Sequence, residues 1–494
     1  MERFTPAGSD GAYDPAVAET HSGLVFFAGD RAYKLKKAVD LGFLDFTNRE
    51  EREAACRREV SLNRRLAPDV YLGVADVHDA AGEVCDHLVV MRRMPAGRRL
   101  STLVLEGAPV EAELDDLARL VAAFHAGAER SPAADRAAGA DALGERWTAN
   151  TGGLAGFADR FIDAAAVAAV DRLAQRYLAG RGLLFASRVA GGRACDGHGD
   201  LLADDIFCLD DGPRVLDCLE FDDALRLGDV LADVAFLAMD LERLGRLDLA
   251  GRFLDAYQAA SGDEWPASLA HHHIAYRAQV RAKVAAIRAE QGVPDSAAQA
   301  QRLLELAHAH LEAGRVRLVL VGGLPGTGKS TLGRGLGDAT GAMVVRSDVV
   351  RKELAGLPAD QPAAAPFGEG LYTAAATAAT YDEFLARAED GLRLGETVVL
   401  DASWTDEGRR ADARCLAEAT ASDLVELRCV APAEVVAERI AARASVGGDA
   451  SDADTAVAEA MAAVADPWPT SIAVDTVADP AVVVRAALRH VGPT

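Results

Sequence analysis

The stretch RVRLVLVGGLPGTGKST, residues 315–331, leaves the chain the least freedom. Leu318 to Val321 is a short, wholly apolar run of the kind that forms a strand covered on both faces. It feeds GLPGTGKST, Gly323 to Thr331, which fits G-x-x-x-x-G-K-[ST]. Glycines there let backbone N–H groups turn inward around phosphate oxygens, Lys329 reaches the outer phosphates, and the Ser330 hydroxyl can ligate magnesium. The following helix points its positive end at the same anion. The strand, loop and helix predict an α/β unit with a parallel sheet, and Gly323, Gly326, Thr327, Gly328, Lys329, Ser330 and Thr331 are its candidate nucleotide-phosphate residues.

Downstream, GETVVLDAS ends a buried-strand pattern in Asp401, placed to hold the magnesium through a water. Between the two, VVRSDVVRKEL ends another apolar strand in Ser347 and Asp348, with Arg351 one turn on. This order resembles the small-molecule and polynucleotide kinases of the P-loop class. The resemblance implies that Asp348 orients or deprotonates the acceptor hydroxyl and that Arg351 clamps substrate or phosphate. ERIAARASVGGDASDAD resembles the lid of the same class, with Arg439 and Arg443 four apart on one helix face, expected over the transferring phosphate.

The texture changes near Gly314, so the expected division is 1–314 and 315–494, the first part having lobes at about 1–95 and 96–314. LVFFAG and RAYKLKK read as two strands joined by a Gly-Asp turn, with a helix following from Arg49 to Leu66. Lys34 in the second strand and Glu59 in the helix can form the ion pair that positions nucleotide phosphates, and Lys36, on the same strand face, is the alternative. HLVVMRRMP offers a hinge whose backbone around Met91 to Met94 could hold adenine. Further on, CDGHGDLLADDIFCL contains His198-Gly199-Asp200. In kinase-type catalytic loops an Asp accepts the substrate proton, an amide five residues later binds metal, and a second Asp follows a hairpin. Asp200, Asp205 and Asp217 appear in that order, DIFCL and RVLDCLEF forming the hairpin, with Glu220 as the alternative to Asp217.

Residues 20 to about 290 resemble the aminoglycoside phosphotransferase and choline kinase family, and the whole chain resembles a bacterial group in which such a domain is fused to a P-loop kinase. The resemblance implies an α+β protein-kinase-like N-terminal domain followed by an α/β P-loop NTPase domain. It implies two Mg-ATP sites and transfer of the γ-phosphate to a hydroxyl of a small polar molecule: a sugar, amino sugar, nucleoside or aminoglycoside-like compound. Asp205 departs from the family's Asn; it keeps an oxygen ligand for a hard cation and adds a charge that should raise the proton affinity of its acidic neighbours. Two other readings stay open: a regulator whose kinase-like domain senses nucleotide, and a polynucleotide-end kinase.

A chain of 494 residues exceeds one ordinary core, and a net charge of -24 disfavours nucleic acid as a partner. Seven scattered cysteines without a Cys-x-x-Cys pair, no signal-like N-terminus and no apolar run of about 18 residues point to the cytoplasm and away from membranes. Only six of the 52 basic residues are lysine, which draws attention to Lys34, Lys36 and Lys329. HHH at 271–273 cannot converge on one metal, because neighbouring helix positions point apart. Stretches 131–144, 356–370 and 445–455 read as loops. Oligomeric state is not written in the sequence.

Overall fold

Alternating burial along RAYKLK and VCDHLVVMR is the signature of strands with one face on a core. In the computed structural model, which describes residues 16–19, 23–39, 45–359, 361, 368–446 and 454–492, they belong to a five-stranded sheet. Its strands are β1 (Ala16–Glu19), β2 (Gly23–Ala28), β3 (Arg31–Lys36), β4 (Tyr71–His78) and β5 (Val84–Arg92), in the order β1-β2-β3-β5-β4 with every pairing antiparallel. Gly29, at φ 59°, supplies the tight turn between β2 and β3. The helix Arg49–Asn63, capped by Asn48, lays Cys56 and Val60 against Ala32, Val89 and Met91. Glu59 is carried inward on the same face.

This sheet belongs to a compact unit made of the chain up to Ala142 and Arg188–Glu264. Its remaining strands are two short antiparallel pairs, β6 (Ala194–Asp196) with β9 (Leu227–Asp229) and β7 (Ile206–Leu209) with β8 (Gly212–Val215). The expected strand RVLDCLEF stops at Val215, because Asp217 adopts φ 64°, a left-handed conformation that ends the ladder. The helix Val230–Arg243 follows β9 directly, with Val234 to Leu241 all buried. Arg188, Asp229 and Asp263, all buried, form a bidentate network at 2.7–2.9 Å.

Leu143–Ser187 and Trp265–Thr494 form the second unit. Its sheet comprises β10 (Arg317–Gly322), β11 (Met343–Arg346), β12 (Val398–Asp401), β13 (Asp423–Val430) and β14 (Ile472–Asp475). The order is β11-β12-β10-β13-β14, parallel throughout, with every residue of the central β10 buried. This is the expected P-loop α/β architecture.

The last helix before that sheet, Ser296–Ala313, ends close to the expected boundary at 314. Helices Ala164–Gly180 and Ala267–Glu290 nevertheless group with the sheet. A Cβ on Gly180 would sit 2.1 Å from the Thr420 carbonyl oxygen, Arg181 donates to that oxygen at 2.5 Å, and Ser268 donates to Gly395 O at 2.7 Å. Within this helical layer the HHH stretch diverges as expected. Tyr177 stacks on His272, to which Trp147 Nε1 donates at 3.0 Å, while His271 meets His310.

The loop expected at 131–144 is a correction. Ser131 caps a helix, Pro132–Ala138, and a second begins at Ala140. Pro at the first helical position and an Ser N-cap are start signals, which outweigh the loop-like composition. The stretches 356–370 and 445–455 fall partly outside the described residues. Among the described residues no helix is long and apolar enough to cross a membrane.

Candidate functional site

Glu59 is wholly buried, and its two carboxylate oxygens receive two different lysines: Lys34 Nζ at 2.9 Å and Lys36 Nζ at 2.7 Å. The residues are two apart on β3, so their side chains leave the same face. Lys34 continues to Asp217 Oδ1 at 2.8 Å, and Lys36 to Glu220 Oε1 at 2.6 Å. Both members of each alternative posed by the sequence are therefore enlisted, in two parallel bridges sharing Glu59. Burial pushes the Glu59 carboxyl up, but the ammoniums of Lys34 and Lys36 and their hydrogen bonds more than offset it, and it falls to about 2. Lys34 moves above its usual range: burial opposes its charge, and Asp217, Glu59 and Glu220 outweigh burial.

The catalytic-loop candidates lie at the end of the Lys34 bridge. His198 and Gly199 donate backbone N–H bonds to Asp233, at 2.7 and 2.8 Å, and Gly199 takes φ 87°. A Cβ on Gly197 would lie 2.7 Å from Asp233 Oδ2, so this approach requires glycine. Burial raises the Asp233 carboxyl, yet the His125 hydrogen bond and the His198 contacts hold it below the usual carboxylate range. This anchor fixes the turn that presents the half-buried Asp200.

Asp205 follows on a one-turn helix, and its carboxyl is driven well above its usual value, first by burial and then by Asp217, Asp200 and Asp204. Asp205 and Asp217 both carry the carboxylate oxygens that a hard divalent cation prefers, although among the described residues no three acidic, His or Cys side chains converge on one point. Met91 is buried in the sheet core and Met94 packs against the same core. Between them, the backbone N–H groups of Arg92 and Arg93 donate to Val70 O and Asp30 O at 2.9 and 2.8 Å.

In the second unit, Gly323, Gly326 and Gly328 have φ of 132°, 81° and 92°. A Cβ at Gly326 would come within 2.9 Å of Val436, so the loop needs glycine for both backbone and space. Thr327 Oγ1 and Lys329 Nζ both reach Leu324 O, at 2.7 and 3.1 Å, and Lys329 opens the helix Lys329–Thr340. Ser330 and Asp401 lie on either side of the Arg346 guanidinium, each 3.3 Å away. Parallel pairing of β11 with β12 sets Arg346 directly opposite Asp401. Burial raises the Asp401 carboxyl, against the pull of Lys329, Ser330 and Arg346. An alcohol oxygen and a buried carboxylate beside the phosphate loop fit magnesium.

A cavity of about 930 Å³ joins these groups to the acceptor candidates, its wall including Gly326, Lys329, Ser330, Thr331, Asp348, Arg351, Asp401 and Arg439. Asp348 Oδ1 accepts from Arg351 Nη1 at 2.7 Å. Arg439 donates to Thr476 Oγ1 and O, at 3.2 and 2.6 Å, and Thr476 Oγ1 donates to Thr327 O at 2.7 Å. It is thus braced beside the phosphate loop. Arg443 lies in the helix Ala433–Val446, and its side chain is outside the described residues.

Sequence reading missed Arg346, Tyr372, Tyr381 and Arg409. Arg346 had a usable signal, since it ends the strand adjacent to the one ending in Asp401. Tyr372, Tyr381 and Arg409 enter the cavity wall from three separated segments, and no local spacing joins them.

The family model described as a phosphotransferase enzyme family matches residues 25–272, and a model described as an AAA domain matches residues 318–468. An uncharacterized protein of Mycobacterium tuberculosis strain H37Rv is 46% identical over 462 residues, 93% of this chain and 92% of that protein. An uncharacterized protein of Mycobacterium bovis matches to the same extent. Among solved structures, a choline/ethanolamine kinase family protein from Mesorhizobium loti is 17% identical, covering 61% of this chain and 89% of that one, with a TM-score of 0.39. A sugar kinase from Janibacter is 20% identical, covering 36% and 94%, with a TM-score of 0.26.

Proposed function

The chain belongs to the phosphotransferase enzyme family, joined in one polypeptide to an AAA-type P-loop kinase-like domain, and on that premise we propose that it is an ATP-dependent kinase with two Mg-ATP sites, acting on a hydroxyl of a small polar molecule. A sugar, amino sugar, nucleoside or aminoglycoside-like compound is the acceptor class. A cytoplasmic location, where thiols stay reduced, completes the proposal. The observation that carries it is the single cavity wall shared by Lys329, Ser330, Asp401 and Asp348.

In the P-loop domain, the loop amides and Lys329 bind the phosphates, Ser330 would ligate magnesium and Asp401 would hold it through a water. Asp348 orients the acceptor hydroxyl and takes its proton as the acceptor oxygen bonds to the γ-phosphorus and the bond to the ADP oxygen breaks. Arg351 positions acceptor or phosphate, while Arg439 stabilises charge on the phosphoryl group. In the kinase-like domain Lys34, set by Glu59, holds the nucleotide phosphates. Asp205 and Asp217 would hold the metal, backbone groups around Met91 to Met94 would border adenine, and Asp200 is the base. Bound magnesium supplies charge neutralisation at both sites. Each of Asp217 and Glu220 is engaged by a lysine, and the electrostatic influence of Asp217 on Asp205 favours Asp217.

The carboxylate crowding around Asp205 favours one second reading, in which the kinase-like domain binds nucleotide and regulates the P-loop domain without turnover. An ADP-release screen over the acceptor classes, run on the wild type, Asp200→Asn and Lys329→Ala, separates them. Loss of distinct activities in the two variants supports two catalytic sites. Full turnover in Asp200→Asn with none in Lys329→Ala supports the regulator.

A further inference from the structure

Beyond Asp348, the cavity wall in the P-loop domain carries two guanidinium groups, the Arg351 already placed beside acceptor or phosphate and Arg409, which the phosphate chemistry does not employ. Arg351 lies over the Tyr372 ring at 4.7 Å and Arg409 over the Tyr381 ring at 5.4 Å. All four residues line the cavity, with Thr377, Ser403 and Thr405 adding hydroxyls. The Arg351 side chain is only 10% exposed, and its Nε has no hydrogen-bond partner among the described residues. Burying a guanidinium with a donor unused is unfavourable unless a ligand completes its bonding. Arg409 is tied more loosely, 3.3 Å from Asp382 and 3.5 Å from Asp412. Stacking on tyrosine holds each planar group in place, and such a planar fork matches carboxylate and phosphate oxygens.

Arg351 also occupies one oxygen of Asp348 at 2.7 Å. An acceptor with its own anionic group would take over the guanidinium and release that carboxylate oxygen for the hydroxyl. A neutral acceptor has nothing to exchange.

We infer that the P-loop site takes an anionic polyhydroxy acceptor, a carboxylate- or phosphate-bearing polyol whose charge is held by Arg351 and Arg409 while Asp348 addresses its hydroxyl. This rests on the kinase reading of the same site. The covalent step is unchanged: the hydroxyl proton passes to Asp348, the acceptor oxygen bonds to the γ-phosphorus, and ADP leaves with the electrons of the broken P–O bond.

The test uses the full chain and matched pairs: D-gluconate with D-glucose, D-glycerate with glycerol, and D-ribose 5-phosphate with D-ribose. Product is followed by ³¹P NMR, and binding by calorimetry with Mg²⁺ and a non-hydrolysable ATP analogue. The expected result is at least a tenfold preference in kcat/KM for the anionic member of one or more pairs, the carboxylate and phosphate pairs telling the two sources apart. In Arg351→Gln and Arg409→Gln, checked for folding by circular dichroism, the preference shrinks to threefold or less, mainly through KM. A neutral member preferred throughout, or an anion preference retained in both variants, overturns the inference. Binding of none of the three anions to wild type also overturns it, and leaves the kinase reading intact if ATP still binds and Lys329→Ala removes one of the two bound nucleotides.

Discussion

Replacing Glu59 by Gln tests the double bridge at the centre of the kinase-like domain. The carboxylate is fully buried between two ammoniums, and its carboxyl ionises at about 2 rather than the ordinary 4.5. At about 1.4 kcal/mol for each tenfold change in proton affinity, that difference amounts to roughly 3 kcal/mol of folding stability at neutral pH. Breaking a buried ion pair costs about 3–5 kcal/mol, and the lower end applies because Lys34 keeps Asp217 and Lys36 keeps Glu220. The sign is fixed: a depressed carboxyl stabilises fully above its unfolded value and loses that contribution as pH falls through the folded one. The wild-type advantage is therefore about 3 kcal/mol at pH 7.5 and about 2 kcal/mol at pH 3.5. All four tryptophans, Trp147, Trp265, Trp404 and Trp468, lie in the other compact unit. Urea unfolding followed by circular dichroism sees both units, whereas tryptophan fluorescence reports the one without Glu59. The reasoning fails if the dichroism transition of Glu59→Gln moves by less than about 1 kcal/mol at pH 7.5, or if its deficit does not contract with acid.

Three further outcomes can be checked. Gly326→Ala, which needs φ 81° and meets Val436 at 2.9 Å, should weaken binding of a fluorescent ATP analogue at the P-loop at least tenfold. Arg188→Ala removes the guanidinium shared by the buried Asp229 and Asp263 carboxylates, while Asp263 keeps Arg193, and should lower stability by about 3 kcal/mol in chemical unfolding. Asp205→Asn removes a carboxyl whose folded value is raised, a group that disfavours folding above its unfolded value. In EDTA the variant should melt higher than wild type at pH 8, and the gain should fade towards pH 4.

The parts that local chemistry dictates could be read from the chain. An apolar strand followed by a glycine-rich turn has few outcomes, and β10 with its loop took the expected one. Lys34 and Lys36 were foreseeable as a pair because strands alternate faces. The sequence did not reveal that both would be used, since Asp217 and Glu220 come from a segment more than 180 residues away. The RVLDCLEF strand was overextended because its apolar content continues past Asp217, whose left-handed backbone is a tertiary requirement. The 131–144 helices were hidden by an alanine, glycine and proline composition that fits both loops and helix starts. Beyond Asp348 and Arg351 the acceptor wall was out of reach of motif reasoning, because Tyr372, Thr377, Tyr381, Ser403, Thr405 and Arg409 come from separate turns, loops and helices.

Counting nucleotides tests the account most directly. Calorimetric titration of the full chain with a non-hydrolysable ATP analogue and Mg²⁺ should give two bound per chain, falling to one in Lys329→Ala and to one in Asp217→Asn. A wild-type stoichiometry of one, unchanged by one of these substitutions and abolished by the other, would contradict the two-site claim.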